Sequence, residues 1–301
     1  MCNSIPNCPL HDDEHYCNDP ECPENCSCNG HEFSCTGLFF PRNYTHLRYL
    51  DGSNSPIHLD FLQPNIFLVY LKLSACEISH LGFVTLPNLK VLLVDQNNIQ
   101  TLPKNFTERF PVLEYLSLSS NPLNKFIEQS QSTLKQLLKL KILDMSKSQL
   151  LPIALAKLML NPVNDKSVTA VKLLNLSFTT LPDVPSFKVL TNLENIDLTE
   201  TETVKIPNDV FEGLTELQFV RGTNFKFCCP KLLPGQVKPQ NCLTDADEVS
   251  SCESLLQNNI YKVFVWIFAT LTIMGNFSSF VARTLLQKNS KDTGIAYDYC
   301  L

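Results

Sequence analysis

Charge is scarce in this sequence, and its basic residues form no cluster. Only 18% of the 301 residues are charged, below the roughly 25% of ordinary soluble domains, and the formal net charge is −6. A surface that binds nucleic acid needs clustered lysine and arginine side chains against the phosphates. The composition therefore excludes nucleic acid as a partner and leaves ample apolar material for a folded core.

The sequence also lacks the motifs of the common enzyme classes. It contains no phosphate-binding loop, no nucleophile elbow and no HExxH zinc motif. Its six histidines lie in or beside predicted turns with no pairing pattern: His11, His15, His31, His46, His58 and His80. We therefore expect no catalytic residue and no cofactor, and hence a binding protein rather than an enzyme.

A secretory signal is missing, although the cysteines indicate a secreted fate. Met1 to Ser4 is followed by neither a basic region nor an apolar run, so we interpret the beginning of the sequence as truncated. Seven of the 13 cysteines lie in residues 2–35 and four in residues 228–252. Such groups are typical of disulfide-bonded ends in an oxidising compartment. Zinc is the competing interpretation of Cys22-x3-Cys26-x-Cys28, but no histidine lies at a matching spacing.

Between the two cysteine groups the sequence repeats an LxxLxLxxNxL-like unit. Eight units begin at Leu47, Leu68, Leu89, Leu113, Leu140, Val171, Leu193 and Leu217. These are leucine-rich repeats, in which each unit supplies a short strand that is buried only by stacking on its neighbour. The pattern predicts an α/β solenoid with a horseshoe of parallel strands over residues 47–227.

Particular positions of the unit have predicted roles. Leu68, Leu71 and Leu73 represent the buried side chains of one strand. Asn97 and Asn121 lie where the strand turns away, and their amides can satisfy backbone groups that the turn leaves unpaired. Equivalent positions hold Ser55, Cys76, Ser148, Thr179 and Thr201, and we predict that Cys76 is a free buried thiol. Three aromatic residues, spaced alike before the next unit, predict a stacked column on the convex side: Phe83, Phe187 and Phe211.

An uncharged run of 20 residues, Val263 to Ala282, follows the second cysteine group. At about 1.5 Å per residue it spans roughly 30 Å, which is the thickness of the hydrocarbon layer. A buried core helix is the alternative, but buried helices of this length rarely lack charge. Arg283, Lys288 and Lys291 follow the run and acidic residues precede it, so the positive-inside tendency places residues 284–301 in the cytosol. We predict one transmembrane helix over residues 260–283, a plasma-membrane location and an extracellular N-terminus.

The end of the repeats and the helix together resemble one receptor family. The run FKFCCP, Phe225 to Pro230, and the segment SCESLLQNNIYKVFVWIFATLTIMGNF look like the hinge and first helix of leucine-rich-repeat G-protein-coupled receptors. Gly275 and Asn276 match the Gly-Asn pair of that helix, whose Asn packs among helices in the family. The resemblance implies a hinge over residues 228–259, with Cys228, Cys229, Cys242 and Cys252 in disulfides of open connectivity.

Two further resemblances lie near the N-terminus. Residues 18–46 look like the cysteine cap of extracellular leucine-rich-repeat proteins, which implies the disulfides Cys22–Cys28 and Cys26–Cys35. Residues 1–17 look like the second half of an LDL-receptor class A module, which implies a Cys2–Cys17 disulfide. In that module Asp13 and Glu14 match calcium-ligand positions, whereas two other acidic positions hold asparagine, so Ca²⁺ would lack part of its usual oxygen ligands.

The order of these segments is similar to that of the relaxin-receptor branch. The resemblance ends at KNSKDTGIAYDYCL, so we interpret the chain as truncated after its first helix. It implies an extracellular peptide or protein hormone as partner and a lipid bilayer as anchor. Pairing with the full-length receptor is a further possible role, and G-protein coupling is implied only for a complete chain, so we expect this one not to signal. The alternative is a single-pass leucine-rich-repeat adhesion or decoy protein.

The hormone would bind the side chains that alternate with the buried leucines on the concave face. Six such side chains are the predicted contacts: Tyr70, Tyr115, Asp95, Glu114, Asp144 and Asp197. Asp144 and Asp197 follow from the resemblance, because relaxin-type hormones present arginines to acidic pairs there. A solvated mixed face is the alternative, since lysines such as Lys72 and Lys141 share this surface.

Five N-glycosylation sequons occur, at Asn25, Asn43, Asn105, Asn175 and Asn276. Asn276 lies in the membrane run, and a glycan on Asn175 would obstruct the concave face. We expect glycans chiefly at Asn43 and Asn105.

Overall fold

The computed structural model describes residues 22–37, 44, 47–56, 59–63, 65–82, 84–103, 105–123, 138–148, 170–181, 183–245, 252 and 259–293. The chain divides into two compact units, Met1–Asp245 and Ala246–Leu301. The predicted class A module, its Cys2–Cys17 disulfide and its Asp13 and Glu14 lie outside the described residues, as do Asn43 and Phe83.

The residues that the structure describes in the first unit form a sheet of 11 strands in chain order. The strands are β1 (Cys26–Asn29), β2 (Glu32–Cys35), β3 (Tyr49–Asp51), β4 (Tyr70–Lys72), β5 (Val91–Leu93), β6 (Tyr115–Ser117), β7 (Ile142–Asp144), β8 (Leu173–Asn175), β9 (Asn195–Leu198), β10 (Phe219–Gly222) and β11 (Cys242–Leu243). β1 and β2 are antiparallel, and every later neighbour is parallel. Strands β3–β10 are the eight predicted repeats, so the leucine-rich-repeat solenoid is confirmed.

The central residues of β3–β10 form one row across the sheet. The register aligns Leu50, Leu71, Leu92, Leu116, Leu143, Leu174, Ile196 and Val220. None of them is more than 4% exposed. Because side chains alternate along a strand, the residues on either side of this row point to the opposite face. Burial of the row against adjacent repeats therefore fixes the register and leaves one face of the sheet for other contacts.

A left-handed residue follows each of the first seven repeat strands. It is Asn54, Ala75, Gln96, Ser120, Lys147, Phe178 or Glu200, with φ between +52° and +58°. The next residue is the position that the repeat reserves for asparagine. Asn97 Oδ1 accepts from the backbone N–H groups of Cys76 and Ile78, and Asn97 Nδ2 donates to the carbonyl of Leu73 at 2.7 Å. The predicted role of the asparagines in pairing turn backbone is confirmed.

Aromatic rings fill the side of the solenoid opposite the sheet. Phe187 and Phe211 are stacked at 6.4 Å between ring centroids, and Phe211 lies 6.2 Å from Phe227. All three rings are fully buried. Phe106 and Phe110 form a second pair at 4.7 Å around the helical turn Phe106–Arg109. Part of the predicted aromatic column is thus confirmed, and Phe227 extends it beyond the sequence-based prediction.

Disulfides close both ends of the repeat array. Cys22 is bonded to Cys28 and Cys26 to Cys35, so none of these four sulfur atoms remains as a thiolate for zinc. At the other end Cys228 is bonded to Cys242, which holds the short strand β11 beside β10. Cys229 and Cys252 are disulfide-bonded as well. Cys76 is free and buried, as its core position predicts.

The described part of the second unit includes a long helix, Asn259–Thr293. Over Asn259–Leu286 it is long and apolar enough to cross a membrane, judged by length and composition. The hydroxyl groups of Thr270, Thr272 and Ser278 donate hydrogen bonds to backbone carbonyls three or four residues earlier. These bonds satisfy the hydroxyl groups within the helix itself. Gly275 and Asn276 lie in the middle of this segment.

Candidate ligand-binding face

The open face is defined here as the side chains of β3–β10 that alternate with the buried central row. One row on this face is largely apolar: Tyr49, Tyr70, Val91, Tyr115, Ile142, Leu173, Asn195 and Phe219. A second row, two residues further along each strand, is polar except at Leu93: Asp51, Lys72, Leu93, Ser117, Asp144, Asn175, Asp197 and Arg221. The face therefore offers an apolar stripe beside a charged stripe, both perpendicular to the strands.

Aromatic side chains dominate one end of the apolar row. Tyr49 and Tyr70 are stacked, with ring centroids 4.2 Å apart and planes at 10°. Burial, together with the neighbouring Tyr49, raises the pKa of Tyr70 to about 12, so the phenol stays protonated. Tyr115 lies two strands further, and burial followed by the Asp144 and Asp95 carboxylates raises its pKa as well. These neutral rings present flat contact area to a ligand.

Charges at the beginnings of the strands neutralise one another. Lys141 Nζ lies 2.6 Å from Glu114 Oε2, and Lys90 Nζ lies 3.8 Å from Glu114 Oε1. Lys172 and Glu194 form a similar pair at 2.5 Å. The hydrogen bond from Lys141 is the main reason that the pKa of Glu114 is lowered. Glu114, one of the predicted contacts, is thus already engaged by two lysines.

Carboxylates and one amide in the polar row are fixed by the strand ends. Each accepts a hydrogen bond from the backbone N–H two residues later: Asp51 from Ser53, Asp144 from Ser146, Asn175 from Ser177 and Asp197 from Thr199, at 2.9 to 3.1 Å. This local bond uses one side-chain oxygen and orients the group. The second carboxylate oxygen of Asp51 accepts from Lys72, and that of Asp144 accepts from the neutral amide of Asn175.

Asp95 reaches the same stripe from just beyond β5. Its Oδ1 accepts from the Ser117 hydroxyl and, at 3.2 Å, from the Ser119 N–H. Burial raises the pKa of Asp95, and the carboxylate of Asp144 adds to the rise, whereas the two serines oppose it. A buried anion next to another anion favours the approach of a cation.

The acidic side chains on this side of the face differ in whether they form an ion pair. Lys72 Nζ lies 2.9 Å from Asp51 Oδ2. Asp95, Asp144 and Asp197 have no ion pair with a lysine or arginine of the described residues. Asp144 and Asp197 occupy strands two apart, which separates them by roughly 10 Å. The chemistry on offer is therefore a line of oriented carboxylates for basic groups.

Sequence reasoning missed the residues that support these acids. Asn175 lies between Asp144 and Asp197 in the row, and its Nδ2 donates to Asp144 Oδ2 at 3.2 Å. A recurrent Asp/Asn-x-Ser/Thr pattern at the strand ends is the signal that could have revealed them. Among the described residues, no group of three or more His, Cys, Asp or Glu could hold a metal ion.

Part of the chain is similar in sequence to two known receptors. The chain is 38% identical over 68 residues to the G-protein coupled receptor GRL101 of Lymnaea stagnalis, a match covering 23% of the chain and 6% of that receptor. It is 30% identical over 89 residues to relaxin receptor 2 of Canis lupus familiaris, covering 28% of the chain and 11% of that receptor. The matches thus span only a small part of either relative's length. No protein-family model matches the chain.

The fold is shared with solved structures of low sequence identity. The crystal structure of human 5T4, the trophoblast glycoprotein, superposes with a TM-score of 0.51 and 18% identity, covering 69% of this chain and 82% of that one. This likeness concerns the fold alone. By fold and by sequence, the chain is a leucine-rich-repeat protein that resembles leucine-rich-repeat-containing G-protein-coupled receptors.

Proposed function

We propose that the chain is the ligand-binding ectodomain and first membrane helix of a hormone receptor, and that its open face captures a basic peptide or protein. The observation that carries this proposal is the asymmetry of the charges. Lysines and glutamates at the strand beginnings pair with one another, whereas Asp95, Asp144 and Asp197 form no ion pair with a lysine or arginine of the described residues. A ligand with arginine or lysine side chains would supply the missing charge.

Backbone hydrogen bonds already orient two of these carboxylates before a ligand binds. The backbone N–H groups of Ser146 and Thr199 hold Asp144 and Asp197, so little side-chain freedom is lost when a cation binds. Asp197 also lies beside Arg221 of β10 in the register, but the two form no ion pair. A guanidinium from the ligand can therefore approach Asp197 without displacing an existing partner.

The apolar row would contribute contact area beside the charges. Tyr70, Tyr115 and Leu173 are partly exposed and run parallel to the acidic stripe. Aromatic and aliphatic side chains supply much of the affinity in protein interfaces, while charges set orientation and partner choice. The expected ligand is thus a segment with one basic and one apolar side.

The proposed topology follows from the helix and the cysteines. Residues 1–259 would lie outside the cell, comprising the class A segment 1–17, the cap 18–46, the repeats 47–227 and the hinge 228–259. Residues 260–283 would cross the bilayer and residues 284–301 would be cytosolic. Disulfides at both ends of the repeats support an oxidising compartment. The relatives named as receptors support a hormone-type partner.

A titration with a defined cationic probe tests the proposal. The full chain, expressed behind a cleavable secretory leader and purified in lipid nanodiscs, is titrated with fluorescein-labelled octa-arginine. Asp144→Asn combined with Asp197→Asn should raise the Kd about tenfold or more, because two charge-assisted contacts are lost. Asp51→Asn combined with Glu114→Gln removes the same charge from lysine-paired positions and should change the Kd less than about threefold. Equal effects of both double variants would leave only a solvated, nonspecific face.

A further inference from the structure

We propose that Asn175 carries an N-linked glycan in addition to the glycans expected at Asn43 and Asn105, and that the obstruction expected from it is real: the glycan covers the acidic stripe of the open face. The modification itself requires only that the repeats enter the secretory pathway. Its effect on binding rests on the proposed function. The sequon is Asn175-Leu176-Ser177, in which the asparagine ends β8 and the following leucine is buried.

The asparagine side chain is placed where a bulky group can leave the protein. Asn175 is partly exposed on the open face, whereas Leu174 and Leu176 on either side of it are buried. Its neighbours in the row are Asp144 and Asp197, both partly exposed. A substituent on the amide nitrogen would therefore project over the sheet rather than into the core.

The hydrogen bonds of Asn175 tolerate the substituent. Oδ1 accepts from the Ser177 N–H at 3.0 Å, and this bond does not involve the nitrogen. Nδ2 makes one bond, to Asp144 Oδ2 at 3.2 Å, and an amide nitrogen carries two hydrogens. Substitution leaves one N–H on the nitrogen and does not touch the Oδ1 bond to Ser177, so the turn at the end of the strand is kept.

The reaction is an ordinary transfer to the nascent chain. The amide nitrogen forms a bond to the anomeric carbon of an oligosaccharide carried on a lipid diphosphate. The bond between that carbon and the diphosphate oxygen breaks, the lipid diphosphate leaves with the electron pair, and one amide proton is released. The lipid-linked sugar is the co-reactant that the secretory pathway supplies.

Asn175 differs from the other described sequons in its position. Asn105 Oδ1 accepts from Arg109 Nε at 2.9 Å, at the helical turn away from the sheet face. Asn25 lies in the N-terminal cap, and Asn276 lies within the apolar helix. Among the described sequons, Asn175 alone stands between two unpaired carboxylates. Occupancy at this residue would therefore set the fraction of chains whose acidic stripe is free.

Two substitutions at the third sequon residue separate glycan from side chain. Ser177→Ala destroys the sequon, whereas Ser177→Thr keeps it, and both retain Asn175 and the backbone N–H at position 177. The full chain and both variants are produced in mammalian cells, and the cell-surface pool is examined by glycopeptide mass spectrometry. We expect a glycan on Asn175 in the wild-type and Ser177→Thr chains and a bare Asn175 in the Ser177→Ala chain.

Binding of octa-arginine to the same three pools tests the masking. The Ser177→Ala chain should bind at least about twofold more peptide per mole than wild type, and the Ser177→Thr chain should match wild type. A bare Asn175 in the wild-type surface pool would overturn the proposal. An occupied Asn175 with binding equal to that of Ser177→Ala would overturn the masking. Absence of binding by Ser177→Ala overturns the proposed function and the masking together, while an occupied Asn175 would still establish the glycan.

Discussion

Asn121 bonds across a repeat boundary to Val94: its Nδ2 donates to the Val94 carbonyl at 2.9 Å, 27 residues earlier in the chain. The same nitrogen donates to the Leu118 carbonyl at 3.0 Å, and Oδ1 accepts from the Ile99 N–H at 3.0 Å. One buried amide thus satisfies backbone groups of two adjacent turns. Because neighbouring repeats contact only each other, such links determine whether the array unfolds as one unit.

Replacing this amide should be costly. Asn121→Ala leaves buried backbone donors and acceptors without partners, so we expect the free energy of unfolding to fall by about 2–4 kcal/mol. Asn98→Ala, at an exposed asparagine in the preceding turn, should change it by less than about 0.5 kcal/mol. Urea denaturation of the full chain in nanodiscs, followed by far-UV circular dichroism, gives both values. Similar small losses for both variants would show that the amide does not link the repeats.

Gly222 is required by the ring that covers the last repeat. A Cβ at this position would lie 2.7 Å from Cδ2 of Phe227, which is fully buried. Gly222→Ala should therefore displace the ring and lower the unfolding free energy by about 1–3 kcal/mol. Gly235→Ala is the matched control, because nothing lies within 4 Å of its added Cβ. Thermal melts that rank the two variants in the opposite order would contradict this packing.

Asp95 should make stability fall as pH rises. Burial, aided by Asp144, raises its pKa in the folded protein, so the folded state holds this proton to higher pH than the unfolded chain. The contribution of Asp95 to the unfolding free energy therefore decreases from the unfolded pKa, about 3.9, up to the raised folded pKa. The measurement is the difference between wild type and Asp95→Asn in urea titrations over that interval.

Asp51 is the control, because its effect on stability should change with pH in the opposite direction. Burial alone would raise its pKa, but hydrogen bonds from Ser53 and Lys72 outweigh that effect and lower it. The stability that Asp51 contributes is present above its unfolded pKa and is lost as pH falls through its folded pKa. If the loss of unfolding free energy in Asp95→Asn and in Asp51→Asn changed with pH in the same direction, the opposite pKa shifts of the two carboxyl groups would be refuted.

The spacing of the leucines predicted the solenoid, because burial of one row of side chains fixes the register of every strand. The burial of Leu68, Leu71 and Leu73 could be predicted from their spacing alone, and all three are buried. The partners of the acids were not readable in the same way. Whether Glu114 is neutralised depends on Lys141, 27 residues later, and Asn175 meets Asp144 from 31 residues away. Such pairs form only when repeats of unequal length come into register.

The end disulfides should carry much of the stability of the first unit. The Cys26–Cys35 bond joins residues nine positions apart in the sequence. Removing such a bond lowers the free energy of unfolding by about 2–4 kcal/mol. Dithiothreitol should therefore lower the Tm of the full chain by several degrees. Cys76→Ala is the control, because this thiol is free, and its melt should respond to the reductant like that of wild type. A Tm unaffected by reduction would contradict the role of the caps.

Photo-crosslinking can locate a basic peptide bound to the protein. Octa-arginine bearing a photoreactive diazirine is irradiated on the full chain, and the cross-linked peptides are sequenced by mass spectrometry. Capture by the open face predicts cross-links concentrated in β7, β8 and β9, around Asp144, Asn175 and Asp197. Cross-links confined to the opposite side of the solenoid, or spread evenly over both sides, would contradict it.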